Sequence, residues 1–306
     1  MWLTLAFLSA ALLGFYEICI KQSIRDNAVI PVLVLNTLFS SLLFLPFIVL
    51  SKTGQFLPGD LFYVAQTTAS VQGYIAIKSG LVLVSWILGY IGLKHLPLTL
   101  VGPINATRPV MTLLGAIFIF GEMLNFLQWM GVIIAIISFY LLNQTGKREG
   151  FDVRQNRWLW CTILGCIVGA SCGLYDKFLM APPDAGGLGL DRMAVQSYYN
   201  FYQFLMMGLV LLVAWLPTKK ISPPFRWKWP ILGISLFLSA ADFAYLYSLS
   251  LEGAMISVVS MIRRCSVLVS FTFAAIVFKE KNLREKAIDL ALVFVSVILL
   301  FFGTQA

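Results

Sequence analysis

Ten long apolar runs dominate the chain and restrict its possible folds more than any other feature. Each is close to the roughly 20 residues that an α-helix needs to cross the hydrocarbon core of a bilayer. Only 12% of the residues are charged, against about 25% in a soluble domain, so we predict an all-α integral membrane protein with ten transmembrane helices. The predicted spans are 2–22, 29–50, 74–93, 98–121, 125–143, 158–180, 194–216, 229–250, 254–278 and 286–303.

The basic residues of the loops predict the orientation. Most follow odd-numbered spans, as Arg25, Lys147 and Arg284 do, and the positive-inside rule places these loops in the cytoplasm and both termini outside. The same rule accounts for the net charge of +8, so no nucleic acid is expected as a partner. We expect a multi-pass protein of the bacterial inner membrane, in contact with lipid. Residues 53–73 are only weakly apolar and fit either a surface helix or an extension of the third span.

An internal duplication is visible in the spacing of small and acidic residues. The acids Glu17 and Asp176 lie 159 residues apart, and Glu122 and Glu280 lie 158 apart at the other ends of the two halves. Each half also begins with small residues at i, i+4 and i+8, which let helices approach closely. These small residues are Ala6, Ala10 and Gly14 in the first span, and Gly165, Gly169 and Gly173 in the sixth.

The duplication predicts two five-helix repeats of opposite orientation in the membrane. The first repeat covers residues 1–145, a polar cytoplasmic linker covers 146–157, and the second repeat covers 158–306. Because five is odd, the second copy enters the membrane from the opposite side. Inverted repeats of this kind are frequent in transporters, which bind substrate at the interface between the repeats.

Residues 92–142 carry a recognisable signature. It combines a short L-P turn, a proline-containing fourth span, a terminal G-E and a glycine-bearing last span, and FKEKN at 278–282 repeats it loosely, with Lys279 in place of Gly121. This pattern resembles the EamA family of the drug/metabolite transporter superfamily. The resemblance implies ten helices in two inverted five-helix bundles, alternating access to a central cavity, export or exchange of a small metabolite, and no bound cofactor.

Charged residues inside the spans mark the candidate site, because a charge at a helix centre costs about 2.5 to 3.5 kcal/mol on insertion scales. Arg108 shares one face of the fourth span with Asn105 and Thr112, and the repeat places Arg263 and Ser266 on the matching face of the ninth. We predict that Arg108 and Arg263 line a cavity and hold a carboxylate or phosphate. The alternative is that each arginine forms a structural pair with Asp242, Glu17 or Asp176.

Two further groups complete the predicted site. Glu17 and Lys21, one turn apart, and Asp176 are predicted to serve in gating or proton coupling, with anchoring of helix ends as the alternative. Asn200 and Gln203 share one face of the seventh span and are expected to meet the cavity, as is Asp242. Glu122 and Glu280 are predicted only to close their helices.

These residues predict a secondary transporter for a small organic solute with a carboxylate or phosphate group, with or without an amino group. A proton or counter-substrate would drive it. The alternatives are an exporter of lipophilic cations or drugs and a non-transporting scaffold.

An enzyme is disfavoured. GASCG at 169–173 lies inside a predicted helix, where the G-x-S-x-G motif of hydrolases does not function. Tyr175-Asp176 with GLGLD at 187–191 resembles the motifs of intramembrane aspartyl proteases only faintly. No metal-ligand cluster or phosphate-binding loop is present in the sequence, so neither a metal nor a cofactor is expected.

Overall fold

The computed structural model describes residues 1–24, 27–95, 108–144, 157–218 and 224–266, with single residues or pairs between 269 and 303. Only the backbone is described for the helical residues 21, 90–95, 109–110, 135, 138–144 and 218. This part of the chain is all-helical and contains no strand. Six of its helices are long and apolar enough to cross a membrane, as a multi-pass integral membrane protein requires.

The described helices follow the first nine predicted spans closely. They are α1 (Trp2–Ile24), α2 (Val29–Lys52), α3 (Ala69–His95), α4 (Arg108–Phe120), α5 (Phe126–Gln144), α6 (Arg157–Met180), α7 (Arg192–Val210), α8 (Pro230–Ser250) and α9 (Ile256–Arg264). Helix α7 continues through a π-helical segment, Leu211–Trp215, as far as Thr218. The tenth predicted span, 286–303, lies mostly outside the described residues, and so do 98–107 of the fourth span and most of the ninth beyond Ser266.

The segment 53–73 contains the connection between α2 and α3 and the start of α3. Residues 53–68 form turns, in which Gly54 and Gly59 adopt positive φ angles of 76° and 108°. Helix α3 begins at Ala69, five residues before the predicted span. The Thr68 hydroxyl accepts a hydrogen bond from the Val71 backbone N–H at 3.5 Å, so a polar side chain caps the helix and its amphipathic first turn extends beyond the apolar run.

Most helix–helix contacts fit the sequence repeat, because a contact between two helices recurs between the two helices that correspond to them in the other repeat. Helix α1 packs along α8, and the two helices that the repeat relates to them, α6 and α3, also pack along each other; α2 packs against α7 and α4 against α9. Some pairs break this rule, and one of them involves α6. Helices α6 and α8 pack together, whereas the related helices α1 and α3 make no comparable contact.

The two ends of the bundle therefore differ. We name the end that holds Met1 and the connections 53–68, 181–191 and 251–255 the Met1 end, and the opposite end the Asn27 end. The main hydrophobic core lies at the Met1 end, where α1, α3, α6, α8 and α9 begin or finish. Its fully buried members include Ala6, Ile75, Leu179, Leu249 and Ile256, and they close the bundle there.

Candidate functional site

A cavity of about 270 Å³ lies between α1, α3, α4, α6, α7, α8 and α9. This volume lies just below the range of about 300 to 1,000 Å³ that is usual for ligand pockets. Four basic and two acidic side chains line the cavity, together with aromatic rings. The charged groups are Lys78, Arg108, Arg263, Arg264, Asp176 and Asp242, and the rings are Tyr16, Trp86, Tyr199 and Tyr245.

Asp176 forms an ion pair with Lys78 of α3 at the edge of the cavity nearest the Met1 end. The two side chains are 6% and 9% exposed, so the pair is shielded from water. The Lys78 ammonium also lies 4.6 Å from the centre of the Tyr199 ring. Lys78 was not predicted from the sequence, although a lysine inside the third apolar run is the same signal that identified the arginines.

Arg263 forms the second ion pair, with Asp242 of α8. The guanidinium Nη2 lies 2.9 Å from a carboxylate oxygen of Asp242, and the guanidinium carbon lies 4.0 Å from the centre of the Tyr245 ring. Both Arg263 and Asp242 line the cavity as expected. For Arg263, however, the structure has the arrangement that the sequence left as the alternative, a structural pair with Asp242 of the preceding helix.

Arg108 has a different environment. Its guanidinium lies against Gly169 of α6, where an added Cβ would be 2.5 Å from Cζ and 2.7 Å from Nε. Nε is buried, and among the described residues it has no hydrogen-bond partner. Thr112, one turn along α4, also lines the cavity, and its hydroxyl donates to the Arg108 carbonyl oxygen at 3.1 Å. Asn105 lies outside the described residues.

Two of the predicted residues bind each other beside the cavity. Glu17 of α1 accepts a hydrogen bond from the Ser266 hydroxyl at 2.9 Å, and neither residue is among those that line the cavity. Arg264, which does line the cavity, lies within electrostatic reach of both Glu17 and Arg108. The side chain of Lys21 lies outside the described part of the chain.

The polar face of α7 packs against other helices, contrary to the expectation that it meets the cavity. Asn200 donates to the Gln196 carbonyl oxygen at 3.0 Å, and its own carbonyl accepts from Ser41 of α2 at 2.9 Å. Gln203 is 2% exposed and likewise does not line the cavity. The residue of α7 that does so is Tyr199. Adjacent residues point about 100° apart around a helix, so a small rotation decides which face reaches the cavity.

Glu122 caps a helix of the other repeat, which the sequence did not indicate. Its carboxylate accepts from the backbone N–H groups of Ile256 at 2.8 Å and Ser257 at 3.2 Å, and from the Ser257 hydroxyl. These are the first residues of α9, so the end of α4 is tied to the start of its counterpart. Glu280 lies outside the described residues.

The sequence motifs that resembled enzymes have structural roles. Asp191, from the GLGLD segment, caps α7 by accepting a hydrogen bond from the Ala194 backbone N–H at 2.7 Å. Ser171 of GASCG lies within α6, and its hydroxyl donates to the Ile167 carbonyl oxygen at 3.0 Å. Within the described ranges, no group of three or more His, Cys, Asp or Glu side chains could hold a metal ion.

Comparisons with known proteins agree with the resemblance. No curated protein sequence matches the chain. One solved crystal structure superposes with a TM-score of 0.70 over 99% of this chain and 98% of its own, at 11% identity, which indicates a shared fold only. The EamA-like transporter family matches residues 1–144 and 189–302, most of the chain in two regions. The members of that family are membrane transporters and not enzymes. The chain therefore belongs to the EamA-like transporter family.

Proposed function

We propose that the protein is a secondary transporter that moves a small organic anion with a carboxylate or phosphate group across the membrane by alternating access. The charge balance of the cavity is the observation that carries this proposal. Asp176 and Asp242 are each paired with a cation of the protein itself. Among the described residues no carboxylate pairs with Arg108, so an anionic ligand would supply the missing partner.

The same balance disfavours a cationic substrate. The cavity wall contains four basic and two acidic side chains, and an excess of positive charge remains when Glu17, which lies within electrostatic reach of Arg264, is also counted. A lipophilic cation would have to displace Lys78 or Arg263 from its carboxylate. Breaking a buried pair in this way leaves an uncompensated charge and costs about 3 to 5 kcal/mol.

The size of the cavity favours a metabolite over a drug. A volume of about 270 Å³ suits a solute of a few carbon atoms, because drug-sized ligands occupy pockets of up to about 1,000 Å³. A scaffold without transport activity has no need to keep, in such a cavity, an arginine that pairs with no carboxylate of the described residues, since an uncompensated intramembrane charge is costly.

The unequal packing of the two bundle ends supports alternating access. Helices α6 and α8 are in contact, while the repeat-related α1 and α3 make no comparable contact. If the two repeats exchange conformations, α1 would close on α3 and α6 would separate from α8. The cavity would then open at the Met1 end.

A ligand screen with a matched pair of variants tests the proposal. Purified protein is melted in the presence of short carboxylic acids, phosphorylated three-carbon acids, amino acids and tetraphenylphosphonium. A ligand that binds only the folded state stabilises it by about 2.7 kcal/mol at 100 times its Kd. Anions that stabilise the wild type are then tested for uptake into liposomes.

Arg108→Ala is compared with Arg157→Ala, which removes the same charge from an exposed position at the start of α6. We expect one anion class to stabilise the wild type and Arg157→Ala but not Arg108→Ala. Stabilisation by tetraphenylphosphonium alone, unaffected by Arg108→Ala, would overturn the anion proposal and favour the cation exporter.

A further inference from the structure

The small residues of α6 do not all serve helix packing. At Gly165 an added Cβ would meet Leu88 at 3.0 Å and the Gly89 backbone nitrogen at 3.2 Å, so this glycine lets α3 approach. At Gly169 the three nearest atoms all belong to the guanidinium of Arg108, at 2.5 to 2.7 Å. The missing side chain at 169 therefore leaves a notch that a charged group of α4 occupies.

We propose that the Gly169 notch and the Arg108 guanidinium together form the oxyanion subsite of the cavity. This inference rests on the proposed function above and assigns its anion-binding group to one place. The notch holds the planar guanidinium against the α6 backbone, and the ligand binds to the donors that remain. Gly169 is thus a positioning residue, and Arg108 is the group that contacts the carboxylate or phosphate.

The chemistry of arginine supports this assignment. A guanidinium presents its N–H donors in a rigid fork, and two of them match the oxygens of a carboxylate or phosphate. The buried Nε of Arg108 has no partner among the described residues, so at least one of its donors is unused. Arg264 lies within electrostatic reach of Arg108, and its charge adds to the attraction for an anion.

The substitution Gly169→Ala tests the position of the Arg108 guanidinium without disturbing the fold. Its Cβ would need the guanidinium to withdraw by about 1 Å, from 2.5 Å to an ordinary contact of at least 3.4 Å. The guanidinium is the far end of a flexible side chain, so it can withdraw without disturbing the packing of α4 on α6. Stability should therefore be kept while the donors of Arg108 are displaced from the ligand.

The test compares Gly169→Ala with Gly208→Ala, because at Gly208 of α7 nothing lies within 4 Å of an added Cβ. Binding of inorganic phosphate, succinate and the strongest anion of the screen is measured by calorimetry. We expect Gly169→Ala to weaken binding by about 10- to 100-fold, the value of a charge-assisted hydrogen bond. Gly208→Ala should bind like the wild type, and both variants should melt like the wild type without ligand.

A double-mutant cycle with Arg108→Lys checks the mechanism. A lysine has no planar fork to lie in the notch, so Gly169→Ala should weaken binding by less than about twofold in that background. If Gly169→Ala weakens binding as much in the Arg108→Lys background as in the wild type, the alanine acts through helix packing, and this result would overturn the subsite.

Three other outcomes have clear meanings. If an anion binds the wild type and Gly169→Ala equally well, the subsite is wrong and the proposed function stands. If no anion binds the wild type, both are wrong. Binding of inorganic phosphate but not succinate, with the expected loss in Gly169→Ala, supports the subsite and identifies its ligand as a phosphate.

Discussion

Replacement of Lys78 by methionine should destabilise the protein strongly, because it leaves the Asp176 carboxylate buried without its cation. The two side chains are only 6% and 9% exposed. Breaking a buried ion pair by removal of one partner costs about 3 to 5 kcal/mol. The Tyr245 hydroxyl remains within reach of Asp176, so we expect a loss near the lower figure.

The double variant Lys78→Met/Asp176→Leu removes both charges and should recover most of this loss. Apolar residues of similar volume often replace a buried pair without cost, or even with a gain in stability. We expect its free energy of unfolding to lie within about 1 kcal/mol of the wild-type value. The coupling between the two substitutions would then account for most of the effect of Lys78→Met.

Unfolding in mixed micelles, followed by circular dichroism, measures these differences. Lys52→Met serves as the control, because Lys52 is exposed at the end of α2 and a surface substitution changes stability by about 0.5 kcal/mol or less. If Lys78→Met unfolds like Lys52→Met, water reaches Asp176 and the pair is not a buried one. If the double variant is less stable than Lys78→Met, the aspartate contributes through contacts other than the lysine.

Three further predictions follow from single contacts. Asp242→Asn releases Arg263 from its 2.9 Å pair and should tighten anion binding by about three- to tenfold at low salt; weaker binding in calorimetry would contradict the role of cavity charge. Glu122→Ala removes the acceptor of two α9 backbone N–H groups and should cost about 2 kcal/mol in chemical unfolding, whereas an unchanged unfolding midpoint would mean that water caps α9 equally well. Asn27→Ala removes two hydrogen bonds to the Arg226 backbone, at 2.7 and 2.8 Å, and should cost about 1 kcal/mol in the same assay; a loss several times larger would show that these bonds hold the Asn27 end together.

The rule that charges inside a span face a cavity or a partner singled out several residues that the structure brings to one cavity. Arg108, Asp176, Asp242 and Arg263 all line the cavity. The rule could not tell which arginine is paired, because that depends on where α8 and α9 cross. It also applied to Lys78, which lies inside the third predicted span but was not singled out from the sequence.

Polar residues gave a weaker signal than charges. Asn200 and Gln203 were expected at the cavity, but they are buried elsewhere: the Asn200 amide donates to the Gln196 carbonyl oxygen of its own helix, and Gln203 Nε2 has no partner among the described residues. An amide can be satisfied by any nearby backbone carbonyl, so its presence in a span does not reveal which neighbour it faces. Ser266 was also expected to line the cavity, but it lies beside the cavity and donates to Glu17 instead.

The sequence by itself determined the helices and the family. A bilayer offers no water to unpaired backbone groups, so each apolar run must satisfy its own hydrogen bonds as a helix, and length and composition suffice to find it. The tertiary structure alone decided the ion pairs of Asp176 and Asp242, the seating of Arg108 on Gly169, and the contact between α6 and α8 without its counterpart between α1 and α3. These features depend on where the helices cross and on how each helix is rotated about its axis. A shift of one residue along a helix changes the direction of the side chain by about 100°. They join residues distant in sequence, so no local pattern encodes them.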